Sequence, residues 1–193
     1  MLAGCILTGG KNRRMGGLKK LFLPFGSGTF LTELLKAFAS LETVYLSVEK
    51  KEPYEKTGML LVEDEYKEIG PLGGLYSSLH FAKEEALLVV ACDMPFVDQR
   101  VVLQLSEAWE KYHTSIVAVA EEKVQPLLAV YEKKTLPVIK EQIENENYKM
   151  MELLNRIDYK TVVLRDSHRA VQNINSKKDY IRLIRNDGKG NGK

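Results

Sequence analysis

Glycines and basic side chains are concentrated between Leu7 and Lys20, close to the amino terminus. The four glycines of this stretch allow tight backbone turns that bring N–H groups close to a ligand. Two arginines and three lysines add positive charge beside these donors, a combination that suits a polyanion such as a nucleoside triphosphate. The spacing matches neither a Walker A loop nor a dinucleotide-binding fingerprint. The alternative is a flexible basic surface loop.

A second candidate is the carboxylate of Asp93, in the sequence Cys92-Asp93-Met94-Pro95. It directly follows residues 87–91, the most strongly apolar run, which predicts a central parallel strand covered on both faces. A carboxylate at the end of such a strand suits Mg²⁺, which binds one or two carboxylates together with phosphate oxygens. The alternative is that Asp93 only caps the following turn.

Two further polar segments follow predicted elements. In one of them, acidic residues again end an apolar run, since Glu63 and Asp64 follow residues 59–62. The Gly-Pro-Leu-Gly-Gly sequence at residues 70–74 then opens a predicted helix, whose amino terminus can hold a polar or anionic group. Asn173 and Asn175 project the same way if their segment is extended, and can then reach a site with their amide oxygens. A plain turn at residues 70–74 and a helix cap at Asn175 or Ser176 are the alternatives.

The elements that must position these residues alternate along the chain. Apolar runs predict strands at residues 2–7, 44–48, 59–62, 87–91, 116–120, 127–131 and 161–164, and a short extended segment at 21–25. Apolar residues at helical spacing predict helices at residues 29–38, 75–82, 98–112, 135–144, 152–157 and 177–184. Strands that alternate with helices predict a mostly parallel sheet, and ligands of such sheets bind at the carboxyl ends of the strands.

The predicted fold class is therefore α/β, with a mostly parallel, doubly wound sheet between two layers of helices. A chain of 193 residues suits a single domain, which we place at residues 1–185. Residues 186–193 are rich in glycine and lysine, and we expect them to form a disordered tail.

The composition argues against several classes of function. The formal net charge is +2, so nothing global indicates a nucleic-acid or membrane partner. No run approaches the ~20 apolar residues of a membrane span, and the amino terminus does not resemble a signal peptide. Cys5 and Cys92 lie in apolar runs, which indicates buried thiols in a reducing compartment rather than a disulfide scaffold or a zinc site. We therefore expect a cytoplasmic protein.

The order and spacing of these segments resemble the molybdenum cofactor guanylyltransferase family (MobA type). The family's Leu-Ala-Gly-Gly, Arg-Met-Gly and Asp-Lys elements stand here as Leu7-Thr8-Gly9-Gly10, Arg14-Met15-Gly16 and Lys19-Lys20. Its Gly-Pro-Leu-x-Gly, Cys-Asp-x-Pro and Asn-x-Asn motifs match residues 70–74, 92–95 and 173–175, and residues 125–127 match a further element. The resemblance covers residues 1–185. Three positions depart from it, because Thr8, Lys19 and Ser47 replace Ala, Asp and, in some members, Asn.

This resemblance implies a Rossmann-like nucleotidyltransferase that transfers GMP from GTP to the molybdenum cofactor and releases pyrophosphate. It implies that Arg14, Lys20 and Asp93 are catalytic, that Asp93 binds Mg²⁺, and that Asn173 and Asn175 complete the acceptor side. The GTP-binding residues that it implies are Leu7, Thr8, Gly9, Gly10, Lys20, Asp64, Gly70, Gly74 and Asp93. The implied partners are GTP and the molybdenum cofactor, with cofactor-synthesis or molybdoenzyme-maturation proteins in addition, but neither nucleic acid nor membrane.

Two other functions remain open at this point. One is another nucleotidyl transfer on the same fold, either cytidylyl transfer to the same cofactor or transfer to a sugar phosphate, because the sequence does not display the hydrogen bonds that select a base. The other is a non-catalytic nucleotide sensor. Within the loop, we predict that Lys20 rather than Lys19 contacts the triphosphate, because adjacent side chains of an extended segment point to opposite sides.

Overall fold

The structure is a computed structural model in which residues 1–8, 20–165 and 168–187 are described. The predictions made for Gly9, Gly10, Arg14 and Lys19, and for residues 188–193 of the tail, lie outside these residues.

A seven-stranded sheet forms the centre of the molecule. The described strands are β1 (Leu2–Leu7), β2 (Pro24–Phe25), β3 (Gly28–Thr29), β4 (Val44–Val48), β5 (Leu60–Glu63), β6 (Ala86–Ala91), β7 (Ser115–Ala120), β8 (Lys123–Glu132) and β9 (Tyr159–Val163). The sheet order is β5-β4-β1-β6-β8-β7-β9, and β2 and β3 form a separate hairpin. β1 is parallel to β4 and β6, β4 to β5, and β7 to β9, whereas β8 is antiparallel to β6 and β7. The sheet is therefore mostly parallel, as predicted.

Helices cover both faces of this sheet. The described α-helices are α1 (Phe30–Ala37), α2 (Pro71–Phe81), α3 (Gln99–Tyr112), α4 (Leu136–Glu144), α5 (Met150–Leu154) and α6 (Lys177–Asp187). Side chains of α1 and α3 join one buried cluster, and those of α2, α4 and α5 join a second. Leu88 and Val90 of β6 point into the first cluster and Leu87 and Val89 into the second, because successive side chains of a strand alternate between faces. These three layers confirm the predicted α/β class.

None of the described helices is long and apolar enough to cross a membrane.

A third apolar cluster joins the hairpin to the carboxyl-terminal part of the chain. We call it the hairpin cluster, and its members are Leu23, Phe25, Phe30, Phe96, Ile174, Tyr180 and Leu183. Tyr180 Oη also donates a hydrogen bond to the carbonyl of Pro24 at 2.9 Å. This packing holds α6 and the segment before it against the chain that follows Lys20.

Several elements differ from the sequence predictions, among them α6, which extends to Asp187 and so includes two residues of the predicted tail. α2 begins at Pro71, one turn before the predicted start, because proline fits the first turn of a helix and Gly70 takes the positive φ (78°) that precedes it. Residues 20–22 form a 3-10 turn, so the predicted extended segment is reduced to β2. β8 extends beyond the predicted 127–131 because β6 and β7 both pair with it. α5 ends at Leu154, where a helix to residue 157 was predicted.

Candidate active site

The carboxyl ends of the four parallel strands β5, β4, β1 and β6 meet at one edge of the sheet. Backbone hydrogen bonds continue the pairing just beyond these ends, from Cys92 N–H to the Leu7 carbonyl (3.0 Å) and from Thr8 N–H to the Ser47 carbonyl (3.2 Å). The predicted residues Leu7, Thr8, Asp64 and Asp93 therefore lie along a single edge. The Thr8 N–H is already paired within the sheet, which leaves its carbonyl for other contacts.

Thr8, Ser47 and Asp64 form a buried chain of hydrogen bonds at one part of this edge. Thr8 Oγ1 donates to the Ser47 carbonyl at 2.7 Å, and Ser47 Oγ donates to Asp64 Oδ1 at 2.8 Å. The exposed fractions of the three residues are only 7%, 1% and 8%. Buried polar groups that are paired in this way hold one arrangement of their side chains.

Burial raises the pKa of the Asp64 carboxyl to about 6. The hydrogen bond from Ser47 opposes this shift because it favours the charged carboxylate, whereas the negative charges of Glu49 and Glu63 reinforce it and Lys67 opposes it. Asp64 is therefore a carboxylate that can change its charge near neutral pH.

Gly74 lies in α2 where the helix passes over this buried pair. A Cβ at Gly74 would stand 2.5 Å from Ser47 Oγ, 3.3 Å from Leu7 Cδ2 and 3.5 Å from Asp64 Oδ1. Only glycine allows α2 to lie this close to Ser47 and Asp64. This close packing explains why a residue of poor helix propensity stands in the interior of α2. Gly70, the other predicted glycine, is the N-cap of α2 and has no side chain to close the first turn.

Lys20 and Asp93 face each other elsewhere on the same edge. Lys20 Nζ lies 4.0 Å from Asp93 Oδ2, and the two side chains are 11% and 20% exposed. Burial raises the pKa of the Asp93 carboxyl, and the positive charge of Lys20 opposes that shift. Asp93 Oδ1 is buried and accepts no hydrogen bond from the residues that the structure describes. A buried carboxylate oxygen without a donor is costly unless a cation or a further donor reaches it.

The donors present at Asp93 fit a magnesium ion. The unpartnered Oδ1 supplies one hard oxygen ligand, and Mg²⁺ commonly takes one or two carboxylates while water and substrate phosphates complete its octahedron. No group of three or more His, Cys, Asp or Glu side chains that could hold a metal occurs in the described parts of the chain. A metal bound here would therefore depend on oxygens of the substrate.

The segment that carries Asn173 and Asn175 lies beside Asp93. The N–H of the residue between them, Ile174, donates to the Asp93 carbonyl at 2.8 Å, and both asparagines are exposed. The helix cap that was an alternative for this segment is made by Ser176, whose Oγ accepts from the Asp179 N–H. Both asparagine side chains thus remain available to a ligand.

The two groups of residues are separated by the strands between them. β5 and β6 are three strand spacings apart, about 14 Å at ~4.8 Å for each spacing. A ligand that contacts both Asp64 and Asp93 must therefore be elongated, with a polar end at the buried Ser47–Asp64 pair and an anionic end at Lys20.

The resemblance placed Ser47 near the base, as a departure from the family, but sequence reasoning did not identify its hydrogen bond to Asp64. Its signal was a single hydroxyl in the apolar strand β4, but its partner depends on the pairing of β4 with β5, in which Ser47 stands opposite Val62. That register carries Asp64, two residues further on, to the Ser47 hydroxyl.

The amino-acid sequence is similar to a known protein family and to several named proteins. The family model described as the MobA-like NTP transferase domain matches residues 4–162. A Clostridium perfringens (strain SM101) protein named "Probable molybdenum cofactor guanylyltransferase" is 30% identical over 191 residues, which cover 95% of this chain and 96% of that protein. A Flavobacterium johnsoniae protein of the same name is 33% identical over 177 residues, covering 89% of this chain and 90% of its own.

A solved structure shares the fold. The molybdopterin-guanine dinucleotide biosynthesis protein A from Archaeoglobus fulgidus aligns with a TM-score of 0.80 over 97% of this chain and 99% of its own, at 22% sequence identity. The fold described above is therefore shared by a protein of almost the same extent.

Proposed function

Because the chain belongs to the MobA-like NTP transferase family, we propose that it transfers GMP from GTP to a terminal phosphate of the molybdenum cofactor and releases pyrophosphate. The observation that carries this proposal is the pair formed by Lys20 and a partly unpartnered Asp93, at the same sheet edge as the buried Ser47–Asp64 pair. The first pair suits a triphosphate and the second suits a base.

The nucleotide lies along the sheet edge in this proposal. Its guanine contacts Asp64 beside Gly74, where the missing side chain leaves room, and its phosphates reach Lys20. Leu7 and Thr8 line the nucleoside between these ends, together with Gly9 and Gly10. Gly70 lies near the base, at the amino terminus of α2.

The reaction forms one P–O bond and breaks another. An ionised oxygen of the cofactor's terminal phosphate attacks the α-phosphorus of GTP, and the bond to the β-phosphate breaks, so that pyrophosphate leaves with the electron pair. No general base is needed because the attacking oxygen is already ionised at neutral pH. The protein aligns two polyanions and neutralises their charge, which is the main requirement of phosphoryl transfer.

Each site residue has a place in that charge balance. Lys20 donates to phosphate oxygens, and its charge stabilises the negative charge that develops on the leaving pyrophosphate. Asp93 would hold Mg²⁺ through its unpartnered Oδ1, and the ion would supply further positive charge to the phosphates. Arg14 adds a bidentate phosphate contact. Asn173 and Asn175 orient the acceptor beside Asp93.

Transfer of another nucleotide is not favoured. Cytidylyl transfer and transfer to a sugar phosphate would use the same phosphate-binding residues, but the relatives that match almost the whole chain carry the guanylyltransferase name. The chain is a nucleotidyltransferase by its family, so the non-catalytic sensor is not favoured either.

The direct test is turnover with purified components. Wild-type protein with GTP, Mg²⁺ and the molybdenum cofactor should release pyrophosphate, and replacement of GTP by CTP should lower kcat/KM at least tenfold, because a base of the wrong hydrogen-bonding pattern leaves buried polar groups unpaired. Equal kcat/KM for GTP and CTP would contradict the proposal.

The same assay tests the metal site through Asp93→Asn. This variant keeps the size of the side chain and removes its charge, so it should fold normally and lose about 10²-fold or more in Mg²⁺-dependent turnover. Near wild-type kcat in this variant would show that Asp93 is not the metal ligand.

The proposed reaction has consequences for location and partners. The acceptor must arrive from cofactor synthesis and the product must pass to a molybdoenzyme, so we expect proteins of these two kinds to meet this chain. We expect the protein to act in the cytoplasm, and its two free, buried thiols suit a reducing compartment.

A further inference from the structure

The hydrogen bond between Ser47 and Asp64 bears directly on the Asp64 carboxylate at the sheet edge. Ser47 Oγ donates to Oδ1 at 2.8 Å, and Ser47 itself is held because its carbonyl accepts from both Thr8 N–H and Thr8 Oγ1. The hydrogen bond described for this carboxylate ends on Oδ1. An ionised carboxylate has about four acceptor positions, so Ser47 restrains the group and leaves Oδ2 and the second lone pair of Oδ1 to accept from a ligand.

We propose that Ser47 is a positioning residue for base selection, which holds Asp64 as an ionised, fixed acceptor for two adjacent N–H donors of a purine. This inference rests on the proposed function and specifies how the base is recognised. Guanine presents its ring N–H and its 2-amino group side by side, whereas adenine has an acceptor nitrogen and a C–H at these positions. A fixed carboxylate accepts from both guanine donors and repels the adenine nitrogen.

The proposal makes guanine selection depend on pH. A protonated Asp64 has one O–H donor in place of an acceptor site, so it no longer matches the guanine edge. The charged or titratable groups near Asp64 are Glu49 after β4, Glu63 in β5, Lys67 beyond β5 and the buried thiol of Cys5 in β1, while α2 approaches it with Gly74. Because burial has already brought the pKa of Asp64 to about 6, loss of the Ser47 hydrogen bond moves it upward, towards working pH.

The experiment measures the ratio of the Kd for ATP to the Kd for GTP between pH 5 and 8.5, with Mg²⁺ present. The triphosphate titrates equally in both nucleotides, so its contribution cancels in this ratio. For the wild type, we expect a constant preference for GTP above about pH 7 and a loss of that preference below about pH 6. For Ser47→Ala, the midpoint of the loss should rise by about 0.5 to 1 pH unit.

Two further variants make the test sharp. Ser47→Cys keeps a side chain of similar size but donates weakly, so its midpoint should fall between those of the wild type and Ser47→Ala, and it replaces that variant if Ser47→Ala does not fold. Ser106→Ala is the matched control, because Ser106 is also buried (8% exposed, against 1% for Ser47) and donates one hydrogen bond within α3, to the Val102 carbonyl. Its midpoint should equal that of the wild type.

The possible results separate this inference from the proposed function. A wild type that binds GTP no more tightly than ATP at any pH overturns the proposed function. A wild type that prefers GTP, with the same midpoint in the wild type, Ser47→Cys and Ser47→Ala, overturns only the role of Ser47. A midpoint that also moves in Ser106→Ala overturns it too, because the shift then reflects a general loss of stability.

Discussion

At the scale of single residues, Lys20 is the side chain that we expect to contribute most to triphosphate binding. The Lys20 side chain is largely buried, and its Nζ lies 4.0 Å from Asp93 Oδ2. Lys20→Ala removes a charge-assisted contact with phosphate oxygens, so kcat/KM should fall by roughly 10²-fold, or about 2.7 kcal/mol. Lys19→Ala should cost less than about tenfold, and Lys19→Asp should leave activity largely intact. If Lys19→Ala lowers kcat/KM more than Lys20→Ala does, Lys19 and not Lys20 occupies the family's lysine position, and our alignment of this loop with the family motif is shifted by one residue.

The carboxyl of Asp64 links the site to the stability of the fold. Because its pKa is raised to about 6 from an ordinary 3.8, the folded protein holds this proton more tightly than the unfolded chain does. Asp64 thus contributes stability that is fully present below pH 3.8 and is lost as the pH rises through 6.

Asp64→Asn should therefore stabilise the nucleotide-free protein above pH 7. The neutral amide avoids the cost of a buried charge, and the gain should be on the order of 2 kcal/mol at pH 8 and shrink towards zero near pH 4. Thermal unfolding of both proteins across this pH range measures the difference. A gain in Tm that is the same at every pH would contradict the raised pKa. The same variant should bind GTP more weakly, because the acceptor for guanine is lost.

The sequence predicts a site residue where a reactive side chain directly follows a recognisable strand. Asp93 was predicted because a carboxylate directly follows the most apolar strand, and the structure places it beside Lys20. The resemblance placed Ser47 near the base, but its hydrogen bond to Asp64 was not predicted, because that bond depends on which residue of β5 stands opposite Ser47. Contacts between distant segments fix that register. The roles assigned to Gly9, Gly10 and Arg14 remain predictions.

At the scale of elements, α2 owes its position to Gly74. Alanine would favour the helix by about 1 kcal/mol, but its Cβ would stand 2.5 Å from Ser47 Oγ, so Ser47 must move and weaken its bond to Asp64. Gly74→Ala should therefore lower the free energy of unfolding by about 1–3 kcal/mol, with a weaker preference for GTP.

A double variant tests the cause of that loss. Removal of the hydroxyl in Ser47→Ala/Gly74→Ala relieves the close contact, so the double variant should be more stable than Gly74→Ala alone, as measured by urea unfolding. Additive losses would show that the added methyl group meets a different obstacle.

The hairpin cluster should connect α6 to the acceptor side of the site. Ile174 is buried, and its N–H donates to the Asp93 carbonyl. Ile174→Val should cost about 0.5–1.5 kcal/mol of stability and raise the KM for the molybdenum cofactor several-fold, because its neighbours Asn173 and Asn175 shift.

Ile139 in α4 offers the matched control, since it is equally buried in the cluster on the opposite face of the sheet. Ile139→Val should lose similar stability without a change in that KM. An equal change in KM for both variants would show that the effect of Ile174→Val is only a loss of stability.

The boundaries of elements were less predictable than their existence. Apolar spacing identified α2 but placed its start at residue 75, because residues 70–74 have no helical pattern of their own and become helical only where Pro71 begins the turn. The antiparallel direction of β8 could not be predicted either, because parallel and antiparallel strands can have the same pattern of apolar residues.

At the scale of the whole molecule, the alternation of strands and helices was enough to predict an α/β fold with a mostly parallel sheet. It did not specify the order of the strands, because periodicity identifies an element and not its neighbours. We propose that residues 1–185 form one domain, supported by a single sheet that includes strands from β1 to β9 and by the packing of α6 against the hairpin near the start of the chain.

The strand order also has a consequence for how the protein is made. Every strand of the nucleotide-binding edge, from β5 through β4 and β1 to β6, is encoded before residue 92. β7 is synthesised before β8 but cannot join the sheet until β8 has been made, since β8 lies between β6 and β7. A nascent chain on the ribosome can therefore assemble the half that we propose binds GTP before β7 can join the sheet. The residues proposed to face the acceptor emerge last.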